Sequence, residues 1–525
     1  MIVNPRYALL SVTDKSELIP LAQTLVTAGI KIISTGGTAK ALTAAGLPVI
    51  NIEQITGNPE AFGGRMKSIS FQVASGLLYR RGHAQDETEA SQLQIPGIDL
   101  VVCNLYNFED HVGKNSAEDE LVEEIDIGGP LMIRAAAKNY ASVTVLTDPA
   151  QYETFTQHLR TNKGTTLEFR RQLACEAFDR IARYDIAIAE ELGSRFSTGR
   201  DDKFLALKKK QELRYGENPH QKATWYGWKN ADTKGLGDCK ILQGKELSYN
   251  NLLDADAAWK VTSDVQGVFN AGYTAAVIKH GNPCGLAHGS GQLKTLSEAW
   301  KGDEVSAFGG IVAMGFEVTT DIATFFQDRF VEIIMAPEFS EEAKSILSKK
   351  KNLRLLELPL RTLKSNEKTM RSFHGGVLYQ DEDEGLTDIS HCQTKTKKKF
   401  EESQQKLINF GVMACKHLKS NGIALVGEYN GVSALLGAGM GQPNRLDSLH
   451  LLAGHRASQK EMDFKNMILV SDAFFPFADS IEAADKYGIK FVVQPGGSIR
   501  DEEVIQKADE LGMAMLFTGE RHFRH

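Results

Sequence analysis

The first 150 residues alternate short β-rich apolar runs with helix-length amphipathic stretches. Residues 7–12 read as a strand, 17–28 as a helix stopped by Gly29, 31–34 as a strand, and 38–45 as a helix stopped by Gly46. Strands separated by helix-length connections predict a parallel sheet. From 150 to 193 the pattern turns helical, and the polar, pattern-free segment 196–203 marks a domain boundary. β-rich runs return at 275–278, 310–314, 376–379, 423–426, 467–470, 491–493 and 513–517, which predicts a second α/β region. An acidic stretch (381–384) and a lysine run (397–399) lie near its middle and put a subdomain boundary there; the lysine run reads as a solvated face.

Length and charge narrow the class. At roughly 150 residues per domain, 525 residues predict three to four domains. Hydrophobic residues at 42% and charged residues at 24% fill several cores and exclude disorder as the main state. Acids outnumber bases by 67 to 60, so no global basic field exists to hold nucleic acid, and any anionic ligand must be held by local groups. The six cysteines form no C-x-x-C pair, as expected of a reducing cytosol. No signal-peptide pattern and no apolar run near ~20 residues is visible, so the expectation is a cytoplasmic protein without membrane contact.

Several chemistries lack their markers. Gly244-Lys245 resembles the end of a P-loop, but Cys239 stands where the first glycine belongs and Glu246 replaces the Ser/Thr. None of the 13 histidines opens an H-x-E triplet, and Pro283-Cys284 is not continued to a second cysteine, so the zinc deaminase signature is missing. Neither H-E-x-x-H nor G-x-S-x-G occurs. The expectation is metal-free chemistry without a covalent serine.

Other motifs carry candidate chemistry. In Ser34-Thr-Gly-Gly-Thr-Ala-Lys40, adjacent glycines let amides converge and Thr38 can cap a helix, which makes either a phosphate cradle or a tight strand-to-helix turn. Arg65 and Lys67 stand two apart, on one side of an extended segment. A helix starting near Pro130 puts Arg134 and Lys138 on one face, with Asp126 just before its start in a capping position. Ile278-Lys-His-Gly-Asn-Pro-Cys-Gly285 follows an apolar run, so Lys279 and His280 fall at a strand's C-terminal end. A histidine there can accept a proton near neutrality, beside a lysine able to stabilise negative charge.

With these motifs the sequence resembles the bifunctional purine biosynthesis family that joins AICAR transformylase to IMP cyclohydrolase. The resemblance spans essentially the whole chain, through 34–40, Cys103-Asn-Leu-Tyr106, 125–139, Leu213-Arg-Tyr-Gly-Glu-Asn-Pro-His-Gln221, 279–285, Ser471-Asp-Ala-Phe-Phe-Pro-Phe477 and Arg521-His-Phe-Arg-His525. It implies an α/β fold: an N-terminal methylglyoxal-synthase-like parallel-sheet domain (1–195, core about 1–148), a linker (196–203), and two cytidine-deaminase-like units lacking zinc (about 204–375 and 376–525). It also implies formyl transfer from 10-formyltetrahydrofolate, as co-substrate, to the 5-amino group of AICAR, then dehydrative closure of formyl-AICAR to IMP. A homodimer, no catalytic metal and a structural potassium ion as an option complete the expectation. The alternative is a transformylase whose N-terminal domain is a nucleotide-binding regulatory module.

The resemblance assigns roles by position. His280 matches the transformylase base, Lys279 its helper, and Asn421 a group that orients the reactants. Arg214, Tyr215, Gly309, Glu332 and Arg445 match AICAR-binding positions, and Asn251 and Leu446 further substrate-binding ones; Phe474, Asp479, Ser498, Ile499, Arg521 and Phe523 match the folate side or the shared site. In the cyclohydrolase, Thr13, Asp14, Lys15, Thr35, Gly36, Gly37 and Thr38 match phosphate contacts. Arg65, Ser68, Cys103, Asn104 and Ile127 match further nucleotide positions. Lys138 is the matched acid/base group, with Lys67, Tyr106 and Asp126 in support. The chain departs from the family in reading Ser68-Ile-Ser-Phe71 where a Thr followed by Leu-His-Pro is usual, in continuing with Gln72-Val-Ala-Ser-Gly76 where a His-Gly-Gly is usual, and in Gln442-Pro-Asn-Arg445 for Gln-x-Ser-Arg.

Overall fold

The computed structural model describes residues 2–114, 116–196, 202–228, 235–269, 271–361, 368–385 and 389–525. The chain divides into two compact units, Met1–Ala206 and Leu207–His525. Residues 197–201 of the expected linker lie outside the described residues.

In the first unit, β1 (Tyr7–Val12), β2 (Lys31–Ser34), β3 (Val49–Asn51), β4 (Leu100–Asn104) and β5 (Thr144–Leu146) form a sheet in the order β3-β2-β1-β4-β5. Every pairing is parallel, as the alternation of strands and helices predicts. Ala8, Leu9 and Leu10 of β1 and Leu100, Val101 and Val102 of β4 are fully buried, the unbroken apolar run of a strand covered on both faces. The strand order reverses between β1 and β4, which opens a crevice at their C-terminal ends. The 29-residue helix Leu167–Arg195 packs on this core and matches the helical pattern of 150–193.

In the second unit, β6 (Leu207–Leu213) and β7 (Ala223–Trp228) form a separate hairpin. The main sheet holds β8 (Lys240–Gln243), β9 (Tyr273–Lys279), β10 (Asn282–Gly289), β11 (Ile311–Met314), β12 (Ile333–Ala336) and β13 (Arg354–Glu357). After a second hairpin, β14 (Lys368–Phe373) with β15 (Gly376–Asp381), it continues with β16 (Gln393–Thr394), β17 (Ile423–Tyr429), β18 (Val432–Gly439), β19 (Ile468–Ser471), β20 (Phe491–Gln494) and β21 (Ala514–Phe517). The order β16-β21-β20-β19-β17-β18-β10-β9-β11-β12-β13-β8 is a palindrome: the six strands β8–β13 and the six strands β16–β21 repeat one arrangement, and β10 meets β18 at the centre. Helices Tyr249–Val268 and Gln405–Lys416 occupy matching places on one face.

The central strands β10 and β18 escape the apolar pattern because they are rich in small residues. The reason is packing: a methyl group on Gly285 would strike the carbonyl of Ala299, and methyls on Gly437 and Gly439 would strike those of Ala453 and Ser448, in the helical segments laid against the sheet.

Candidate active sites

Two groups of residues stand out, one in each unit. In the first, the loops after β1, β2 and β4 converge on the crevice. Asn104, at the end of β4, accepts the amides of Thr13 and Asp14 at 2.6 and 2.9 Å and donates to the carbonyl of Asp14 at 2.9 Å, which stiffens the loop after β1. The helix Gly36–Ala44 begins directly after β2, two residues before the predicted start, with Thr35 as its N-cap residue. Thr38 is therefore not a cap. Its hydroxyl is buried inside the helix, donating to the carbonyl of Val12 and accepting the Val12 amide, each at 3.0 Å, so only its main chain faces a ligand.

The first helical-type bond here runs from Ala39 to the carbonyl of Thr35, which leaves the amides of Gly36, Gly37 and Thr38 without a partner inside the helix. Two ammonium groups overhang them: a methyl on Gly36 would stand 3.7 Å from Lys67 Nζ, and one on Gly37 3.9 Å from Lys15 Nζ. Converging amides, a helix N-terminus and two cations make a cradle for a phosphate. Arg65 and Lys67 do not lie on one side of an extended segment. Gly63 and Gly64 at φ 64° and 99° turn the chain tightly there, so Arg65 pairs with Glu123 while Lys67 pairs with Glu60 at 3.0 Å.

Across the crevice the helix Gly128–Lys138 begins. Asp126 accepts the Gly129 amide at 2.8 Å, the expected capping contact, and Tyr184 of the long helix fixes the same turn by accepting the Asp126 amide at 2.7 Å. Burial pushes the Asp126 carboxyl above its ordinary value, against the pull of the Gly129, Gly128 and Tyr106 amides. Burial also raises the Tyr106 phenol, with Asp126 adding to the shift and Lys67 opposing it. Ser68 packs against Gly128, and Ile127 is exposed. Cys103 is buried and its thiol is driven up by burial, so it lines the site as a neutral group.

Lys138 is not part of this group. It ends the helix whose start adjoins Asp126, about 15 Å away at ~1.5 Å per residue. With Arg134 it lines a separate cavity of about 950 Å³, floored by Leu131, Ala174 and Phe178, where the two cations share a face as the spacing predicts.

In the second unit, β9 ends at Lys279 and the two-residue turn His280-Gly281 leads into β10. Lys279 Nζ donates to the carbonyls of Phe308 and Gly309, both at 3.0 Å, and Gly309 adjoins Glu332, whose amide bonds Gly310. Arg354 holds the Glu332 carboxylate at 2.8 Å. The nearby Cys284 thiol is pushed up by burial to about 12, so it offers no thiolate. Asn282 donates to the His280 carbonyl at 3.0 Å and accepts the Lys419 amide at 3.3 Å, which ties the His280 turn to the segment carrying Asn421. Asn421 donates to Gln442 O at 2.9 Å.

From there a chain of contacts runs on: Ser420 donates to Asp472 at 2.6 Å, Asp472 pairs with Arg445 at 2.9 Å, and Phe523 lies between Arg445 and Arg521. Leu446 packs on the core beside Arg445. Asn251 forms a capping box with Ser248, and its neighbour Asn250 reaches the loop of Arg214 and Tyr215 through the Glu217 carbonyl at 3.2 Å. Phe474 and Asp479 lie in the chain after β19, and Ser498 and Ile499 in the loop after β20; these stretches meet where Arg500 stacks on Phe477. Among the described residues no hydrogen bond or ring contact joins those four to the His280 group. Tyr184, Asn282, Ser420 and Asp472 hold the sites together without having been legible as site residues; each acts through a fold contact far away in sequence.

Among the described residues no group of three or more His, Cys, Asp or Glu is disposed to hold a metal ion, and no helix is long and apolar enough to cross a membrane. A family model described as AICARFT/IMPCHase bienzyme matches residues 136–456, and one for the MGS-like domain matches 17–131. The bifunctional purine biosynthesis protein PurH of Acaryochloris marina is 44% identical over 99% of this chain and 100% of its own length. Proteins of the same name from Prochlorococcus marinus and Listeria monocytogenes are 44% and 43% identical, each over 99% of both chains. The chain belongs to the AICARFT/IMPCHase bienzyme family.

The MGS-like match covers β2, β3 and β4 of the parallel sheet and the Gly36-Gly37 turn of the cradle, in agreement with the expected N-terminal fold. Membership in the bienzyme family gives the activity: the chain is an AICAR formyltransferase and IMP cyclohydrolase, acting in the last two steps of IMP synthesis. The near full-length match to bifunctional relatives favours two activities over a transformylase with a regulatory N-terminal module.

Proposed function

We propose that the cyclohydrolase works in residues 1–195 and the transformylase in 204–525, the latter as two deaminase-like units without zinc. The palindromic sheet supports the second part, since one six-strand arrangement occurs twice. The observation that carries the transformylase reading is the exposed His280 at the end of β9, beside Lys279 and joined through Asn282 to the Asn421 segment.

In that site the 5-amino nitrogen of AICAR attacks the formyl carbon of 10-formyltetrahydrofolate. The amine is conjugated to its ring, so it attacks well only as His280 takes its proton. Lys279, with one N–H beyond its two carbonyl bonds, stabilises the tetrahedral oxyanion, an effect worth roughly 3 to 4 kcal/mol for a well-placed donor. Collapse breaks the bond to folate N10, which receives a proton, and leaves formyl-AICAR. In the cyclohydrolase the phosphate rests on Gly36, Gly37 and Thr38 amides under Lys15 and Lys67. The carboxamide nitrogen attacks the formyl carbon, the ring closes and water departs; holding the two groups together supplies much of the acceleration.

Lys138 serves as acid/base group in this reading only if a second copy of the chain brings it to the crevice. Two features support a homodimer. Lys138 and Asp126 sit at opposite ends of one helix, and the two-stranded ribbon β14–β15 exposes Phe373, Val377 and Leu378, more apolar surface than an isolated hairpin sustains in water. A structural potassium ion has no residues assigned to it here and enters no step. The substrates are small soluble anions, and the cytoplasm is their compartment. Supplying formyl-AICAR alone and AICAR with 10-formyltetrahydrofolate separately, and reading IMP and tetrahydrofolate, tests the reading. His280→Ala that still releases tetrahydrofolate at the parent rate overturns it.

A further inference from the structure

We propose that Asp254 is a positioning residue for His280, acting through the main chain of the turn; this rests on His280 being the transformylase base. His280 occupies the left-handed region, φ 53°, with Gly281 at φ 72°. Such a backbone is uncommon for a residue other than glycine and needs support. The carboxylate of Asp254, on the helix Tyr249–Val268, supplies it by accepting the Gly281 amide at 2.6 Å and the His280 amide at 3.3 Å. Asn282 takes the other end, donating to the His280 carbonyl at 3.0 Å. The amide and carbonyl of His280 are thus each gripped by a side chain.

The ring is not. Among the described residues no hydrogen bond reaches its nitrogens, so the aim of the imidazole is set by the turn rather than by a carboxylate on the ring. The second copy of the fold offers a control. The turn between β17 and β18 is Asn430-Gly431, with φ 51° and 79°, the same backbone at the matching place. There an asparagine, which tolerates the left-handed region, stands in place of histidine, and among the described residues no carboxylate accepts the two amides. The carboxylate clamp accompanies the turn that carries the histidine.

The test uses the full-length enzyme with AICAR and 10-formyltetrahydrofolate. Asp254→Ala should lower the kcat of formyl transfer about 100-fold, as a misplacement of ~1 Å does, with KM for AICAR changed less than about threefold. Cyclisation of supplied formyl-AICAR should stay at the parent rate. Asp254→Asn, which keeps one acceptor oxygen, should fall between the two. The double variant Asp254→Ala/His280→Ala should be no slower than His280→Ala alone. An unchanged kcat, a loss confined to KM, or an additive double variant overturns the proposal. If Asp254→Ala abolishes the unfolding transition of the second unit, Asp254→Asn and Asn282→Ala are judged by the same criteria. An active His280→Ala instead sinks the assignment of the base, whatever Asp254 does.

Discussion

Lys279 and Gly309 fit each other on two counts. The ammonium donates to the Gly309 carbonyl at 3.0 Å, and a methyl group on Gly309 would stand 3.3 Å from the same nitrogen and 3.1 Å from the Phe330 ring. Gly309 is also left-handed, at φ 67°, so a side chain there is strained as well as crowded. Gly309→Ala is expected to shift Lys279 and slow formyl transfer at least tenfold, with cyclisation of formyl-AICAR unchanged. Equal loss of both rates in steady-state assays would mean that the substitution disturbs the whole fold rather than this contact.

Tyr184 plays the matching part in the first unit. Its hydroxyl accepts the Asp126 amide and donates to the Glu124 carbonyl at 3.2 Å. Tyr184→Phe leaves both groups without that partner, a cost of about 1–3 kcal/mol when they stay dry. Cyclisation should slow while formyl transfer does not, and the thermal midpoint of the first unit should drop. Lys67→Ala should mainly raise KM for formyl-AICAR, since it removes one cation of the cradle; a fall in kcat with unaltered KM would speak against a phosphate contact.

These residues show what could be read ahead of the structure. The parallel sheet was legible from β1 and β2, because buried strands and amphipathic helices alternate cleanly from Tyr7 to Ala44, whereas β3, β4 and β5 were not singled out one by one. Lys279 and His280 were legible because an apolar run ends on them. The centre of the second sheet was not, since β10 and β18 trade apolar bulk for glycines that let helices approach. Thr38 was misread for a local reason: a hydroxyl near a helix start looks like a cap, and only the fold reveals that Val12 claims it. Asp254, Tyr184 and Asp472 carry no local signal, because these partners are 26 or more residues away.

Asp264 should be a strong determinant of stability in the second unit. It is fully buried and bonded to Arg361, Lys416 at 3.0 Å and His417 at 3.0 Å, the last two from the helix end of the second repeat. Burial alone would raise its carboxyl, but His417, Lys416 and Arg361 outweigh that and hold it far below the ordinary value. Removing the anion strands buried cations, so Asp264→Asn is expected to cost about 3–5 kcal/mol. Urea unfolding followed on the second unit checks this; a loss below about 1 kcal/mol would show that the cluster is solvated.

Acid should weaken the second unit in a defined window. His288 and His417 are buried, and burial lowers both to about 4 from an ordinary 6.5. The unfolded chain therefore binds protons first as pH falls, so the stability these neutral rings contribute is whole above 6.5 and is lost progressively towards 4. His288 shows why its ring stays neutral. Nε2 faces the Ala271 carbonyl at 3.1 Å, an acceptor only, so it carries the proton, and Nδ1 accepts from the Thr274 hydroxyl at 3.0 Å. A second proton on Nδ1 would turn the Thr274 hydroxyl into an acceptor and place a positive charge in a buried site, which burial disfavours. His288→Gln, which retains a donor for Ala271, should remove one proton's share of the dependence, about 1.4 kcal/mol per pH unit between 6 and 4.5. Urea midpoints of parent and variant across that range test it, and parallel curves would show that His288 does not titrate on unfolding.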